Sequence, residues 1–433
     1  MSWDFSTEPE FEAQLAWMRA FVREHVWPIE TVAEELDQQQ LAAILRPLQE
    51  QVKERGLWAA YLPPDLGGQG FGQVKLGLMN EILGESIYAP NAFGCQAPDS
   101  GNGEILALAG TAEQKERWLE PLLAGELLSA FSMTEPETAG SDPTQLQTRA
   151  TRDGDGWILN GHKWFTSNGS IADFLIVMAV TDPDARPHQR ASMFVVPVDA
   201  PGVNIARDVP TLEHPSGGYG RLWNHAEVFY EDVRLGPDAL LGGEGEGFLI
   251  AQQRLVPGRI HHCMRWLGVA NRAFEMMCER ALSREVRGGL LADKQTVQNW
   301  IADSAAQIHQ ARLMTLHAAW KIDNEGSSAA RRDVSLLKFS VAGVLRDVVD
   351  RALQLHGSLG FSGDMPLEQM YRFARHAHLV DGADEVHRET VARQILAEHE
   401  PHPGGVPTNH VPTRRAAARE RYAAILEGAA LHG

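Results

Sequence analysis

The stretch Ala130-Phe-Ser-Met-Thr-Glu-Pro-Glu-Thr-Ala-Gly-Ser-Asp142 marks a change of pattern in this 433-residue chain. Before it, apolar residues recur at the spacing of one helix face, as in Phe11, Leu15, Met18 and Val22. After it, up to about residue 240, β-forming residues are divided by Gly- and Pro-rich turns. From about residue 248 the helical pattern returns and lasts to about residue 400. This order predicts an α+β protein rather than one built from alternating βαβ units.

We therefore predict four segments along the chain. They are an N-terminal helical domain (1–128), a middle β domain (129–242), a C-terminal four-helix bundle (243–400) and a tail (401–433). In the middle domain, the apolar run Phe174–Val180 predicts a strand. The dipeptide Asn160-Gly161 predicts a hairpin turn, because Asn-Gly favours the backbone angles of tight turns.

The amino-acid composition limits the classes of function that this chain can have. The formal net charge is −18, which disfavours a general nucleic-acid binder because phosphate contacts need Lys and Arg. Three scattered cysteines exclude a disulfide framework and fit a reducing compartment. No apolar run is long enough to span a membrane, and the acidic N-terminus lacks a signal-like apolar segment. We expect a cytoplasmic protein that binds neither membranes nor nucleic acid.

Common catalytic motifs are missing from the chain. No G-x-G-x-x-G opens a βαβ unit, and there is no P-loop, G-x-S-x-G elbow or H-E-x-x-H helix. His261-His262 and the pair His376 and His378 lack the spacing and third ligand of a metal site. We therefore expect no bound metal.

Three segments carry the chemistry: 130–142, Gly161-His-Lys-Trp-Phe-Thr-Ser-Asn-Gly169 and Leu379-Val-Asp-Gly-Ala-Asp-Glu-Val-His-Arg388. Each alone is typical of a turn or a core element. Together they resemble the acyl-CoA dehydrogenase family over about residues 10–398, nearly the whole chain. With 96–102 and 258–265, the third segment is most similar to a subgroup whose animal members carry a kinase-like phosphotransferase domain. That subgroup is associated with the breakdown of 4-hydroxyacyl-CoA through 4-phosphoacyl-CoA.

The resemblance implies FAD as the cofactor and assigns residues to it. Those at the isoalloxazine ring and its pyrophosphate are Phe131, Met133, Thr134, Gly140, Ser141, Trp164, Thr166 and Ser167, with Thr166 at the N5 atom. Those that meet the dinucleotide end of a neighbouring subunit's FAD are Arg284, Gln295, Gln354, Gly357 and Ser358. Ala383 and Glu385 follow the base in the flavin-contacting positions. A homodimer or homotetramer is therefore expected.

The resemblance also implies a mechanism. Asp381 is the base that removes the α-proton of an acyl-CoA, while Ser141, Arg259 and Gly382 contact the substrate. Backbone N–H donation at the base position stabilises the developing enolate. FAD accepts the β-hydride and passes electrons to an electron-transfer flavoprotein.

The base position departs from the family pattern, in which a Glu precedes the glycine. Asp381 is one methylene shorter, and Gly258 stands where other members supply a Glu from the helix. A shorter base leaves room for a substituted acyl chain, whose phosphate His261, His262 and Arg265 could contact. Two alternatives remain: an oxidase similar to nitroalkane oxidase, which uses Asp at this position, and a non-catalytic or DNA-associated flavoprotein.

Overall fold

The N-terminal third is helical, as predicted. The computed structural model describes residues 5–66, 68–215, 222, 224–402 and 404–430, with side chains described as far as residue 427. Its first helices are α1 (Pro9–Phe21), α2 (Trp27–Glu30), α3 (Gln38–Glu54), α4 (Gly72–Leu83), α5 (Ala89–Ala92), α6 (Asp99–Ala109), α7 (Ala112–Gln114) and α8 (Glu120–Ala124). Asp37 caps α3 by accepting a hydrogen bond from the Gln40 backbone N–H at 2.8 Å.

The described residues of the middle segment form an eight-stranded sheet. Its strands are β1 (Ser129–Ser132), β2 (Arg149–Asp153), β3 (Gly156–Ser167), β4 (Phe174–Val180), β5 (Ala191–Pro197), β6 (Val203–Asp208), β7 (His225–Leu235) and β8 (Leu240–Leu241). They lie in the order β6-β7-β3-β1-β4-β5-β8, and β2 pairs with β3 and β4. β1 is parallel to β4 and antiparallel to β3.

Strand β4 is buried along its whole length, which explains its unbroken apolar run. Alternate residues serve two different cores, since successive side chains of a strand point to opposite faces. Phe174, Ile176 and Met178 join the large core shared with the helices. Leu175 and Val177 join a smaller core within the β domain. The sheet therefore has apolar packing on both faces at β4.

The predicted hairpin at Asn160-Gly161 is wrong. β3 runs through both residues, and its pairing with β7 shifts register between Leu159 and Gly161. A Cβ at position 161 would lie 2.3 Å from Thr148 Oγ1, so a glycine is needed here for β3 to approach the Thr148 side chain closely. The hairpin lies earlier, where β2 pairs with β3 and Gly154 has φ +64°.

The C-terminal third is helical again. Its elements are α9 (Gly247–Ser283), the hairpin β9 (Glu285–Val286) and β10 (Gly289–Leu290), α10 (Gln295–Glu325), α11 (Arg331–His356), α12 (Ser358–Phe361), α13 (Leu367–His376) and α14 (Asp384–Leu396). α9, α10 and α11 pack against one another, α4 packs on α9 and α10, and α13 packs on α11. A separate unit, residues 389–433, carries α15 (Val411–Arg421) and α16 (Ala423–Ala430).

Glycines bring the end of α4 close to α9. A Cβ on Gly268 would lie 2.1 Å from the Glu81 carbonyl oxygen, and one on Gly84 would lie 2.1 Å from the Arg265 carbonyl oxygen. We expect Gly268→Ala to lower the free energy of unfolding by about 1–3 kcal/mol, because a close-packed crossing must open. Urea unfolding measures this loss.

Gly343→Ala is the matched control. Gly343 lies within α11, and a Cβ there would meet no atom within 4 Å. This variant should be neutral or stabilise by up to about 1 kcal/mol, since alanine favours a helix. Equal losses in both variants would contradict the close crossing.

All three cysteines are free thiols, as the composition predicted. Among the described residues, no helix combines the length and the apolar character needed to cross a bilayer.

Candidate active site

Asp381 lies in the short loop between α13 and α14, and its backbone is held by two side chains. Arg259 Nε and His387 Nε2 each donate a hydrogen bond to the Asp381 carbonyl oxygen at 3.2 Å. Asp381 and Gly382 have φ values of +53° and +99°, which aspartate tolerates and glycine favours. A Cβ at position 382 would also lie 2.9 Å from His387 Nε2. Helix α9 therefore anchors the loop through Arg259.

The Asp381 carboxylate faces a histidine of fixed tautomer. His262 Nε2 lies 3.3 Å from Asp381 Oδ2. Arg265 Nη2 lies 3.2 Å from His262 Nδ1, and an arginine can only donate. His262 Nδ1 is therefore the acceptor, and the ring proton of the neutral imidazole is on Nε2, the atom that lies 3.3 Å from the carboxylate. Burial lowers the pKa of His262 to about 3, so this imidazole is neutral.

Buried polar contacts hold the same loop from the other side. Lys338 is completely buried and donates to the Ala377 carbonyl oxygen at 2.8 Å. His378 Nδ1 lies 2.7 Å from Asp384 Oδ2, which also accepts from Arg388 Nη1 at 3.3 Å. These contacts restrain both ends of the segment that carries Asp381.

The charge on Asp381 follows from its surroundings. Burial alone would raise the pKa of this carboxyl, but the adjacent imidazole of His262 and then the positive charges of Arg254, Arg259 and Lys338 lower it by more. The pKa of Asp381 falls to about 2. At neutral pH the group is a carboxylate, which is the form that can accept a proton.

A cavity next to Asp381 lies between α6 and α9. One face of α6 contributes Ser100, Gly101 and Glu104 to its lining, and α9 contributes residues at helical spacing: Arg254, Leu255, Gly258, His261, His262 and Arg265. A Cβ on Gly258 would meet no atom within 4 Å, so this position leaves open space. Glu104 and Arg254 were not expected from the sequence, although the i, i+3 spacing of Gly101 and Glu104 puts them on one helix face.

The three side chains expected to meet a substrate phosphate already have protein partners. Arg265 Nη1 donates to Asn80 Oδ1 at 2.9 Å and to the Cys95 carbonyl oxygen at 3.2 Å. His261 Nε2 lies 3.1 Å from Gln73 Oε1. With His262 held between Arg265 and Asp381, this set forms the wall of the cavity rather than a free anion site.

The predicted flavin-facing side of β3 needs a correction at Thr166. Its side chain is completely buried, and its hydroxyl lies 3.2 Å from Ser132 Oγ. The pairing of β3 with β7 shifts register between Lys163 and Thr166, and Phe165 within that bulge has φ +50°. Ser167, which pairs with Phe131 on β1, therefore replaces Thr166 on the accessible face.

Phe165 is the aromatic residue that the sequence interpretation missed. It is 41 % exposed, and its ring meets that of the half-buried Trp164 edge-on at 5.0 Å between centroids. In a regular strand, residues two positions apart lie on the same face, so Phe165 would share the face of Ser167. The bulge makes this rule unreliable here. Phe165 and Trp164 both remain accessible to a planar ligand.

A buried ion pair supports the turn after β1. Lys163 Nζ donates to the Met133 carbonyl oxygen at 2.7 Å and to Glu135 Oε1 at 2.8 Å. Glu135 also accepts from the backbone N–H groups of Gln147 and Thr148 at 2.6 and 2.8 Å. The Thr134 carbonyl oxygen accepts from the Trp164 N–H at 3.0 Å. The turn that carries Met133 and Thr134 is thus joined to β3.

The other predicted cofactor residues lie at accessible positions. The exposed ones are Gly140, Ser141, Arg284, Gln295, Gln354, Gly357, Ser358 and Glu385, while Ala383 is half-buried. The side chain of Gln295 donates to Asn299 Oδ1 at 3.0 Å. Their roles toward a dinucleotide stay predictions.

The residues around β1 and β3 fit a flavin. Phe131, Trp164 and Phe165 supply partly exposed aromatic surface, and Ser167 supplies a hydroxyl beside it. The exposed Gly140 and Ser141 form a small-residue turn that lets a pyrophosphate approach the backbone. When FAD is bound, this wall would hold its ring system.

One group within the described residues has the spacing of metal ligands. Glu213, His225 and His376 offer atoms within 4.8 Å of one another. His376 Nδ1 lies 3.2 Å from Glu213 Oε2, and His225 Nδ1 lies 2.9 Å from Ser167 Oγ. These direct contacts explain why the three side chains lie close together. The expectation of a metal-free protein stays a prediction.

Comparisons with known proteins agree with this geometry. Family models match three consecutive parts of the chain: the acyl-CoA dehydrogenase N-terminal domain at 8–126, the middle domain at 130–233 and the C-terminal domain at 245–396. The chain is 44 % identical over 357 residues to a Mycobacterium tuberculosis protein described as a probable acyl-CoA dehydrogenase, FadE2. That match covers 82 % of this chain and 86 % of the relative.

Two further relatives agree. Acyl-CoA dehydrogenase family member 11 of Mus musculus is 40 % identical over 392 residues, covering 88 % of this chain but only 50 % of the mouse protein. The solved butyryl-CoA dehydrogenase of Megasphaera elsdenii matches with a TM-score of 0.78 and 27 % identity, covering 91 % of this chain and 100 % of that one. The predicted order of helical, β and helical domains is confirmed. The chain belongs to the acyl-CoA dehydrogenase family and is an oxidoreductase with FAD as its cofactor.

Proposed function

We propose that this protein dehydrogenates an acyl-CoA between its α and β carbons, with Asp381 as the base. FAD, when bound, accepts the hydride from the β carbon. The Asp381 carboxylate takes the α-proton on one of its oxygens. The carboxylate that faces the cavity between α6 and α9 is the observation that carries this proposal.

The surroundings of Asp381 suit a base whose position must be exact. Its backbone is fixed by Arg259 and His387, and its carboxylate lies 3.3 Å from His262 Nε2. Such restraint limits the motion that would otherwise reduce the rate of proton transfer. The Asp side chain is one methylene shorter than Glu, and the fixed position of its loop compensates for this shorter length.

We propose further that the acyl chain carries an oxygen substituent at C4, a hydroxyl or a phosphoryl group. The cavity beyond Asp381 is lined by arginine, histidine and glutamate side chains. Arg254 and Glu104 are the lining groups that no hydrogen bond or ion pair reaches among the described residues, and a fully apolar chain would leave them so, at a cost in affinity. A substituted chain would satisfy some of them.

Electrons would leave the reduced flavin for an electron-transfer flavoprotein, and the working form would be a homodimer or homotetramer. The support for an oligomer is the exposure of Arg284, Gln295 and Gln354, at positions that meet a neighbouring subunit's cofactor in this family. Arg284→Ala should then lower the FAD content of the purified oligomer while its size by light scattering stays unchanged.

An anaerobic titration of the FAD-loaded protein with acyl-CoAs tests the activity. We expect a saturated acyl-CoA to bleach the oxidised flavin band, and a 4-oxygenated one to do so at lower concentration. Failure of every thioester to bleach the band would overturn the dehydrogenation. Rapid oxygen consumption without another electron acceptor would instead identify an oxidase.

A further inference from the structure

Arg254 is a cation of the cavity lining that no carboxylate of the described residues contacts directly. Its guanidinium lies 5.1 Å from the centre of the Phe131 ring, and among the described residues it makes no hydrogen bond or ion pair. It rests on the backbone of α6, because a Cβ at position 101 would lie 2.0 Å from its Nε. Because Gly101 has no side chain, Arg254 fits between the cavity and Phe131, one of the residues expected to meet the flavin.

Glu104 is a carboxyl group in the lining of the same cavity, on the facing helix α6. Among the described residues, no hydrogen bond or ion pair reaches its carboxyl group. Burial raises the pKa of Glu104 to about 8, against the opposing charge of Arg254. At neutral pH it is mainly a neutral carboxylic acid, which can donate a hydrogen bond.

The remaining charged groups of the cavity are engaged. Arg265 is held by Asn80 and the Cys95 carbonyl oxygen, His261 by Gln73, and His262 by Arg265 and Asp381. Arg254 acts electrostatically on both carboxyl groups of the cavity, Glu104 and Asp381. The two groups left free are therefore a guanidinium and a proton-donating acid on facing helices.

We propose that Arg254 and Glu104 together bind a phosphoryl substituent on the acyl chain of the substrate. This assignment rests on the proposed function, because it places the acyl chain in the cavity next to Asp381. The guanidinium offers two N–H donors to phosphoryl oxygens and one positive charge. The neutral Glu104 carboxyl offers a third donor, whereas its carboxylate form would repel the anion. An unsubstituted chain would leave both groups without partners.

Isothermal titration of the FAD-loaded protein under anaerobic conditions tests the pair. The probes are a 4-phosphoacyl-CoA, the 4-hydroxyacyl-CoA and the unsubstituted acyl-CoA of equal chain length. The measured quantity is the ratio of dissociation constants, in which the CoA contribution cancels. We expect the phosphoryl compound to bind at least about tenfold tighter than the unsubstituted one, with the hydroxyl compound in between.

Variants then identify the residues. Arg254→Gln should reduce the phosphoryl preference by about 10- to 100-fold, since a charged hydrogen-bonding partner is lost. Gln253→Ala is the matched control: Gln253 is exposed on the same helix, and the ratio should not change. A ratio near one in the unaltered protein, or one unaffected by Arg254→Gln, would overturn the assignment.

A pH series isolates Glu104. Between about pH 7 and 9 the preference should fall as pH rises through about 8, because Glu104 loses its proton. Of the other titratable groups that face it, Tyr61, His261, His262 and Asp381 keep their charge states in this range, and Arg265, with a pKa of about 10, keeps its charge up to about pH 9, so the comparison is made below that pH. Glu104→Gln keeps an N–H donor and should keep the preference at high pH. A pH dependence that persists in Glu104→Gln would contradict the role of this acid.

The two proposals fail separately. If acyl-CoA bleaches the flavin but the three probes bind equally, dehydrogenation stands and the phosphoryl site is wrong. If the phosphoryl compound binds tighter but no thioester bleaches the flavin, the site stands and the dehydrogenation is wrong.

Discussion

Asp381→Asn should slow flavin reduction by an acyl-CoA about 10²- to 10⁴-fold, the range expected when a general base is removed. The amide has the same shape as the carboxylate but cannot accept the α-proton. Anaerobic stopped-flow absorbance at the oxidised flavin band measures the rate. Because the pKa of Asp381 is lowered to about 2, the rate should not fall through its protonation as pH drops from 7 to 5.

The control for this variant is Asp364→Asn, which removes an exposed carboxylate between α12 and α13. Its rate should match that of the unaltered protein. The FAD content of Asp381→Asn should also stay normal, which separates loss of the base from loss of the cofactor. A rate within about tenfold of the unaltered protein would show that another group removes the proton. Glu104, the other carboxyl group that lines the cavity among the described residues, would then be the candidate.

Lys163→Met should lower the free energy of unfolding by about 3–5 kcal/mol, because it leaves a buried carboxylate without its counter-charge. Lys163 has no exposed side-chain surface, and that of Glu135 is 2 % exposed. In the intact pair, Lys163 and two backbone N–H groups keep the pKa of Glu135 below its usual value despite burial. Urea unfolding of the FAD-loaded protein measures the loss.

Two further variants give this prediction its controls. Arg234→Met breaks the exposed ion pair between Arg234 and Asp153 and should cost less than about 1 kcal/mol. Glu135→Leu combined with Lys163→Met removes both charges and should cost less than Lys163→Met alone, since no charge is left unpaired. We also expect Lys163→Met to release FAD, because the Met133 carbonyl oxygen loses its hydrogen bond to β3. Similar losses in Lys163→Met and Arg234→Met would contradict the importance of the buried pair.

The segment order was predictable because it depends on local patterns. Periodicity along the chain distinguishes the helices from strands such as β4, and family motifs predict the loop of Asp381 and the residues expected to meet FAD. The prediction of a hairpin at Asn160-Gly161 is wrong because a tertiary contact overrides the local turn signal. There, Thr148 occupies the space that a side chain at 161 would need, and β3 continues with a register shift.

Which side chains of β3 are accessible, and which charged groups of the cavity lack a partner among the described residues, depended on contacts between distant residues. A bulge at Phe165 turns Thr166 inward and leaves Ser167 accessible, which alternation alone does not predict. Arg265 looked available in the sequence, yet it is bound by Asn80, 185 positions away. Local periodicity thus decides the order of helices and strands. Only the folded chain decides that Arg254 and Glu104 find no hydrogen-bond partner among the described residues, because such partners are set by proximity in space rather than along the chain.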